Sequence, residues 1–201
     1  PQGEIVALPS TDTQTKPTAL PADNASPAIE VRRVFKVFGK RPKEAVRRLQ
    51  SGSTREDVRG LGTAAVIDAS FDVRPGEIFV VMGLSGSGKS TLIRMLNGLN
   101  DTTDGSIRVF GTEVVGLAGE RIRSLRRDRM AMVFQHFALL PHRTVLDNVA
   151  YGLEIQGMSK ADRAATAQQW IARVGLTGWE DSLPSQLSGG MQQRVGLARA
   201  F

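Results

Sequence analysis

The segment that most constrains the fold is a nine-residue loop, 83–91, that follows an apolar run at 78–82. The loop matches the pattern G-x-x-x-x-G-K-[ST] in full. Glycines permit positive φ angles and the close approach of backbone N–H groups to phosphate oxygens. A following helix adds unpaired N–H groups and its positive dipole end. The predicted phosphate-contacting residues are Gly83, Leu84, Ser85, Gly86, Ser87, Gly88, Lys89, Ser90 and Thr91.

Two side chains of this loop have separate predicted roles. Lys89 should reach the β- and γ-phosphates of a nucleotide and act in catalysis, and the Ser90 hydroxyl should ligate Mg²⁺. The alternative is a Gly/Ser-rich turn that carries Gly-Lys-Ser by chance. The position of the loop between a buried strand and a helix favours the nucleotide site.

Composition sets limits but does not identify a partner. The 201 residues have a net charge of +6, contain no cysteine and are 41% hydrophobic, as in a soluble globular domain. Five arginines between Arg121 and Arg129 should share a short helix, where such a run is usually a solvated face. The positive net charge is compatible with a nucleic-acid partner, but an acidic protein, phospholipid or nucleotide would explain the charge equally well. We expect no nucleic-acid role.

Strands and helices alternate through the first two thirds of the chain. The segment 1–28 is proline-rich without hydrophobic periodicity and is predicted to be a disordered leader. Folded structure is then expected from residue 29 to 201 as one domain, with a helical insertion at 40–62. The predicted strands lie at 29–38, 65–71, 78–82, 106–110 and 130–134, with a helix at 90–99. The runs at 78–82 and 130–134 are apolar throughout, which is typical of buried parallel strands. These patterns predict an α/β core.

Beyond residue 135 the pattern becomes helical, and 136–188 is predicted to be a helical subdomain. Thr144 with Asp147, and Ser159 with Asp162, have the spacing of helix N-caps. A last helix should begin near Gly190.

That last helix starts at a second Ser/Gly-rich turn, Leu-Ser-Gly-Gly-Met-Gln-Gln-Arg at 187–194. The turn is a second potential anion site of the same physical type as the first. The alternative is an ordinary helix cap with Ser188 as the N-cap. Together with the upstream loop, this segment resembles the signature motif of ABC-transporter ATPases.

The resemblance implies a P-loop ATPase core with an antiparallel β element and a helical subdomain, binding ATP and Mg²⁺. It also implies a head-to-tail dimer, in which the signature of one subunit meets the nucleotide held by its partner. The signature residues expected at the nucleotide are Ser188, Gly189, Gly190 and Gln192.

Two further positions resemble residues of this family. Gln135 stands where the family has a glutamine that contacts Mg²⁺ and water and acts in catalysis, although a surface glutamine at a strand end is the alternative. Phe38 aligns with an aromatic residue that stacks on adenine, since a ring can stack on any purine face. A core phenylalanine explains Phe38 about equally well.

From residue 29 onwards, the chain resembles the ATPase subunits of glycine betaine/proline importers. The segment 132–142 and the sequence LSGGMQQRVGLAR at 187–199 carry this resemblance, together with the insertion and the phosphate loop. It implies import of a quaternary ammonium osmolyte such as glycine betaine, proline or choline. The expected partners are a second ATP-binding subunit, a membrane permease contacted near 137–141 and, indirectly, a substrate-binding protein. The expected location is the cytoplasmic face of the inner membrane.

The same family has a strand ending in an aspartate and a glutamate, the Walker B strand, after its signature helix. The 201 residues stop before any such strand, so we expect them alone to hydrolyse ATP negligibly. Two alternatives remain, namely an ABC-class ATPase without a permease, acting on DNA or ribosomes, and a nucleotide-binding remnant that has lost catalysis.

Overall fold

The computed structural model describes residues 26–134 and 137–201, so nearly all of the predicted leader lies outside the described residues. None of the helices in these ranges has the length and the hydrophobicity that a membrane span requires. The strands are β1 (Ile29–Phe38), β2 (Thr63–Val73), β3 (Asp104–Val109) and β4 (Thr112–Glu113). The helices are α1 (Pro42–Gln50), α2 (Lys89–Leu96), α3 (Gly119–Arg129), α4 (Val145–Ile155), α5 (Lys160–Arg173) and α6 (Gly189–Ala200).

The four strands form one antiparallel sheet in the order β2-β1-β3-β4. Helices α2 and α3 pack against this sheet, whereas α4, α5 and α6 pack on one another. The predicted α/β class with an antiparallel β element and a helical part is therefore confirmed. A single 3₁₀ turn, Pro184–Gln186, leads into the turn before α6.

A bulge in β1 lets this strand serve two separate cores. Arg33 has a φ of +48°, and the pairing register with β2 shifts between Val31 and Val34. Such an extra residue bends a strand and changes which side chains face each side of the sheet. Val31 and Val34 therefore enter one apolar cluster, whereas Phe35 enters another. The bulge also needs Gly105 in β3, because a Cβ there would lie 2.4 Å from the carbonyl oxygen of Arg33.

Three apolar clusters hold the described chain together. The first lies between the sheet and α2 and α3 and contains Val31, Val34, Val66, Leu92, Met95, Ile107, Val109, Val114, Ile122 and Leu125. The second is the interior of the helical part and contains Val145, Val149, Ala150, Ala167, Ile171, Leu176, Leu187, Val195 and Ala198. The third joins α1 and the turns after it to the sheet and contains Phe35, Val37, Ala45, Val46, Val58, Leu61 and Ala64.

Two predicted strands are wrong. The segments 78–82 and 130–134 form no strand, and no parallel pairing occurs among the described residues. Ile78 is 90% exposed and Met82 is 85% exposed. A buried parallel strand requires hydrogen-bonded neighbours and helices over its faces. No described strand pairs with either segment, so their apolar composition alone does not produce a sheet.

Helix boundaries follow local capping. The Thr144 and Ser159 side chains accept hydrogen bonds from the N–H groups of Asp147 and Asp162, which confirms both predicted caps. Helix α2 ends at Leu96, three residues earlier than predicted. Gly98 then takes a φ of +62°, and the N–H of the next residue returns to the Arg94 carbonyl at 2.8 Å. That is the hydrogen bond of a glycine-terminated helix end.

Candidate nucleotide-binding site

The phosphate loop is shaped by glycines that no other residue replaces without strain. Gly86 and Gly88 have φ angles of +77° and +97°. A Cβ on Gly88 would lie 2.1 Å from the carbonyl oxygen of Ala65 in β2. The backbone of the loop therefore touches the sheet at Gly88. This contact places the start of α2 directly beside the first residues of β2.

The first turn of α2 offers unpaired donors next to a lysine. No described group accepts a hydrogen bond from the backbone N–H groups of Lys89, Ser90 or Thr91, as expected for the first turn of a helix. The Lys89 ammonium donates to the carbonyl oxygens of Gly83 and Leu84, both at 2.7 Å. Lys89 thus lies across the loop, with its ammonium on two loop carbonyl oxygens. The arrangement suits an anion, because donors and one positive charge converge there.

A cavity of about 560 Å³ opens in front of this turn. Its walls come from the loop, the start of β2 and the turns that precede β2. Among the described residues, three cationic side chains and no acidic side chain line it. The lining residues are Arg55, Arg59, Gly62, Thr63, Ala64, Ala65, Gly86, Gly88, Lys89, Ser90 and Thr91. Its size and its charge fit a nucleoside triphosphate.

Five of the nine predicted loop residues line this cavity, and four do not. Gly83, Leu84, Ser85 and Ser87 belong to the outer part of the loop, and Leu84 is 86% exposed. Ser87 closes the loop by donating its N–H to the Leu84 carbonyl at 3.2 Å. The outer residues therefore shape the loop rather than the cavity wall.

The donor set for Mg²⁺ is small. Ser90 lines the cavity beside Lys89, and its hydroxyl has no hydrogen-bond partner among the described residues. No group of three or more His, Cys, Asp or Glu capable of holding a metal occurs in the described ranges. This donor chemistry fits an ion that is held by a hydroxyl together with phosphate oxygens. Gln135, the other predicted Mg²⁺ ligand, lies outside the described residues.

Phe38 ends β1 and is 45% exposed, which does not fit a core phenylalanine. It pairs across the sheet with Thr63, one of the cavity-lining residues. The Lys36 ammonium lies 4.9 Å from the centre of its ring. The ring is therefore near the rim of the cavity but does not line it, and base stacking stays a prediction.

The second Ser/Gly-rich turn lies apart from this cavity. Ser188 is the N-cap of α6, with its hydroxyl accepting from the Met191 N–H at 3.4 Å. Gly189 and Gly190 are exposed, and a Cβ on either would meet nothing within 4 Å. None of these residues lines the phosphate-loop cavity. If the turn binds a nucleotide, that nucleotide is held elsewhere.

Gln192 has a structural role in this arrangement. Its side-chain amide donates to the carbonyl oxygens of Pro184 and Leu187 at 3.0 and 3.2 Å. These bonds hold the 3₁₀ turn against α6. The side-chain amide N–H groups of Gln192 are therefore already engaged and are not free to donate to a nucleotide in the predicted contact.

Four residues with a clear role in this region were missed by sequence reasoning. Arg55 and Arg59 line the cavity, and their four-residue spacing around an apolar Val58 was the available signal. Asn148 and Arg199 hold the loop after residue 136 through its backbone. The sequence did not single out these two residues, because their partners are backbone groups that every residue carries. Asn148 bonds backbone N–H and carbonyl groups four to eight residues earlier, whereas Arg199 bonds carbonyl oxygens 61 and 62 residues earlier.

The arginine run of α3 is largely engaged within the molecule. Arg123 and Arg127 pair with Glu120, and Arg127 also pairs with Asp128. Arg126 donates to the carbonyl oxygens at the end of α2. The run therefore lies on a largely exposed helix face, as predicted, and several of its guanidinium groups are already paired within the molecule.

Comparison with known proteins places this geometry in a family context. Residues 66–201 match the family model described as ABC transporter. The glycine betaine transport ATP-binding protein OpuAA of Bacillus subtilis is 51% identical over 86% of this chain and 42% of its own. The trimethylamine N-oxide transport system ATP-binding protein TmoW of Ruegeria pomeroyi is also 51% identical, over 88% of this chain and 52% of its own. The chain thus spans about half the length of these relatives.

A solved structure shares the fold. The ATP-binding cassette MJ0796, in a dimeric post-hydrolysis state bound to ADP and Pi, superimposes with a TM-score of 0.71 at 29% sequence identity. The match covers 86% of this chain and 68% of that one.

Proposed function

The chain belongs to the ABC transporter family, and we propose that it is the ATP-binding part of a subunit that powers import of a quaternary ammonium osmolyte. The observation that carries the proposal is the cavity at the phosphate loop, which has three cationic side chains, free helix N–H groups and no acidic side chain from the described part of the chain. Energy coupling requires that ATP favour one conformation of the transporter by its contacts in that state. The cavity supplies the contacts on this subunit.

ATP with Mg²⁺ is the proposed ligand. The loop amides and Lys89 hold the β- and γ-phosphates, and the Ser90 hydroxyl together with Gln135 holds the ion. Mg²⁺ supplies charge neutralisation on the phosphate oxygens. Phe38 lies at the rim, where its exposed ring is available to the base.

A second ATP-binding subunit completes the site in this proposal. Ser188, Gly189 and Gly190 form an exposed helix N-terminus that takes no part in the cavity of their own chain. In a head-to-tail dimer each such turn meets the nucleotide of the partner. The similarity to MJ0796, a cassette solved as a dimer, supports this assembly.

A membrane permease is the proposed partner of the segment 137–141. This segment follows the predicted Gln135 and is tied to α6 by Arg199, so a movement at the nucleotide has a path to it. Ala138, which is exposed, provides the test. Ala138→Glu should reduce solute uptake and leave the rate of ATP hydrolysis unchanged. Ala165→Glu, on the exposed surface of α5, is the control and should leave both unchanged. Unchanged uptake in Ala138→Glu would remove the proposed contact. A subunit that contacts the permease in this way lies at the cytoplasmic face of the membrane. The substrate-binding protein acts on it only through the permease.

The transported solute is proposed from the relatives alone. OpuAA is named for glycine betaine, and the equally similar TmoW is named for trimethylamine N-oxide. We propose glycine betaine, proline or choline, and competition between labelled glycine betaine and each other solute tests the choice. Preferential uptake of trimethylamine N-oxide would contradict it.

Lys89→Ala in the full-length protein tests the nucleotide site. Loss of the ammonium should weaken ATP binding by at least about tenfold and abolish uptake. Lys43→Ala is the matched control, because Lys43 is an exposed lysine of α1 outside the cavity. ATP affinity equal to that of the control would refute the proposed function.

A further inference from the structure

The turns between α1 and β2 bring two arginines to the nucleotide cavity. Residues 51–62 form no helix, but two of their side chains are buried in the third apolar cluster, namely Val58 at 0% exposure and Leu61 at 6%. Arg55 lies three residues before Val58, and Arg59 directly follows it. The burial of Val58 anchors the segment, and both arginines remain exposed and line the cavity.

Hydrogen bonds inside the segment fix its conformation. The Asp57 carboxylate accepts from the Thr54 N–H and hydroxyl, both at 2.7 Å, and the Asp57 N–H donates back to the hydroxyl at 3.3 Å. The backbone hydrogen bond from Thr54 is the largest cause that lowers the pKa of Asp57, followed by that from its hydroxyl. Leu61 and Gly62 both donate N–H bonds to the Val58 carbonyl, at 2.9 and 3.1 Å. The segment is therefore a set of closed turns that ends at the cavity wall.

Two acidic residues, Glu56 and Asp57, lie next to these arginines in the segment. The Asp57 carboxylate accepts hydrogen bonds from Thr54, and neither Arg55 nor Arg59 forms an ion pair with Glu56 or with any other described residue.

Arg47 and Arg121, which lie outside the cavity, likewise form no ion pair with a described residue, so it is the position at the cavity that distinguishes Arg55 and Arg59. Nine other arginines lie within ion-pair distance of a carboxylate, namely Arg32, Arg33, Arg41, Arg48, Arg108, Arg123, Arg127, Arg143 and Arg163.

Three like charges that face one cavity repel one another unless an anion lies between them. The Lys89 ammonium donates to loop carbonyl oxygens, but neither guanidinium group has such an acceptor in the described ranges. Guanidinium groups bind phosphate oxygens through paired N–H donors. The charge pattern therefore indicates a polyanionic ligand that extends from the phosphate loop to the turns at 54–59.

We propose that Arg55 and Arg59 bind the phosphate groups of the nucleotide, so that the insertion at 40–62 forms a second wall of the nucleotide site. The proposal rests on the proposed function, since it concerns the same ligand. It predicts a contact with phosphate and not with the base. Inorganic triphosphate and GTP should therefore lose as much affinity as ATP when the arginines are replaced.

The test compares the full-length protein with Arg55→Gln, Arg59→Gln, the double Arg→Gln variant and the control Arg47→Gln. Arg47 is the matched control, because it is an exposed arginine of the same insertion, on α1, and does not line the cavity. Titration calorimetry at low and high salt gives Kd for ATP, GTP and inorganic triphosphate. The double variant should raise Kd roughly five- to thirtyfold for all three, and its Kd should depend less on salt. A double Arg→Lys variant should recover part of the affinity, because it keeps the charge.

Two results would overturn the proposal. One is a Kd for the double variant within twofold of the Arg47→Gln control. The other is a loss of affinity for ATP alone, which would mean that the arginines contact the adenine base and not the phosphates. Lys89→Ala separates this inference from the proposed function. If Lys89→Ala loses affinity while the double variant does not, only the role of the arginines fails. If neither variant loses affinity, the nucleotide site itself fails.

Discussion

Arg199, near the end of α6, donates a hydrogen bond from Nη2 to the carbonyl oxygen of Phe137 at 2.8 Å. Its Nη1 donates to the next carbonyl, that of Ala138, at 2.7 Å. Phe137 and Ala138 have φ angles of +56° and +45°, which non-glycine residues rarely adopt. One guanidinium thus holds two strained residues of the proposed permease-contacting loop against the helix that begins at the signature turn.

Arg199→Gln should release this loop. The loss of two charge-assisted hydrogen bonds should lower the free energy of unfolding by about 2 kcal/mol, measured by urea denaturation of the full-length protein. Arg121→Gln, an exposed arginine of α3, controls for the change in charge and should have an effect near zero. Equal stability of the two variants would show that the loop does not depend on Arg199.

Asn148→Ala should be among the more destabilising single changes in the helical part. The Asn148 side chain is fully buried, accepts from the Leu140 N–H at 2.8 Å and donates to the carbonyl oxygens of Leu140, Arg143 and Thr144. Removing it leaves buried backbone groups without partners, at a cost of about 2–3 kcal/mol in the free energy of unfolding. Gln168→Ala, an exposed amide on α5, is the control. A thermal unfolding midpoint equal to the control would contradict this role.

Two glycines of the phosphate loop should respond differently to alanine. Gly88→Ala puts a Cβ 2.1 Å from the Ala65 carbonyl oxygen, so the loop or β2 must move, and ATP affinity should fall by more than tenfold. Gly86→Ala meets no atom within 4 Å and carries only the strain of its positive φ, of roughly 1 kcal/mol. ATP titration of both variants measures the difference. Equal losses would mean that close approach to β2 does not matter for the loop.

Glu113 should make stability depend on pH. Burial alone would raise the pKa of this carboxyl group, but hydrogen bonds from Ser106, Ile107, Val115 and Arg108 outweigh it and lower the pKa below its ordinary 4.5. A lowered pKa in the folded state means that the carboxylate stabilises the fold above about pH 4.5, and that this contribution is lost as pH falls through the folded-state value.

Glu113→Gln should therefore cost roughly 1 kcal/mol or less at pH 7, since the side chain is 40% exposed and its ion pair is screened by solvent. Urea unfolding at intervals from pH 7 to pH 3 should show the gap between wild type and variant closing in acid. A gap that is constant with pH would contradict a contribution from the charge.

The extent to which the fold was predictable depended on the range of the interactions. The caps at Thr144 and Ser159 were predicted correctly, because a cap joins a side chain to an N–H group only three residues away. The segment 78–82 was predicted as a strand and is not one, since a strand depends on a neighbour that composition does not reveal. The site divides in the same way. The phosphate loop was evident from consecutive residues. Arg55 and Arg59, in contrast, line the cavity only because the insertion folds against the sheet.

By itself, the sequence determined the phosphate loop, the signature turn, the helix caps and the family. Each depends on residues close together in the chain, whose backbone preferences and hydrogen bonds are local. Only the tertiary structure decided which face of β1 meets which core, that Arg199 holds Phe137, and that the cavity carries two arginines from the insertion. Those relationships join residues far apart in the chain. They arise because burial of Val58, Val34 and Phe35 fixes where their neighbours must lie.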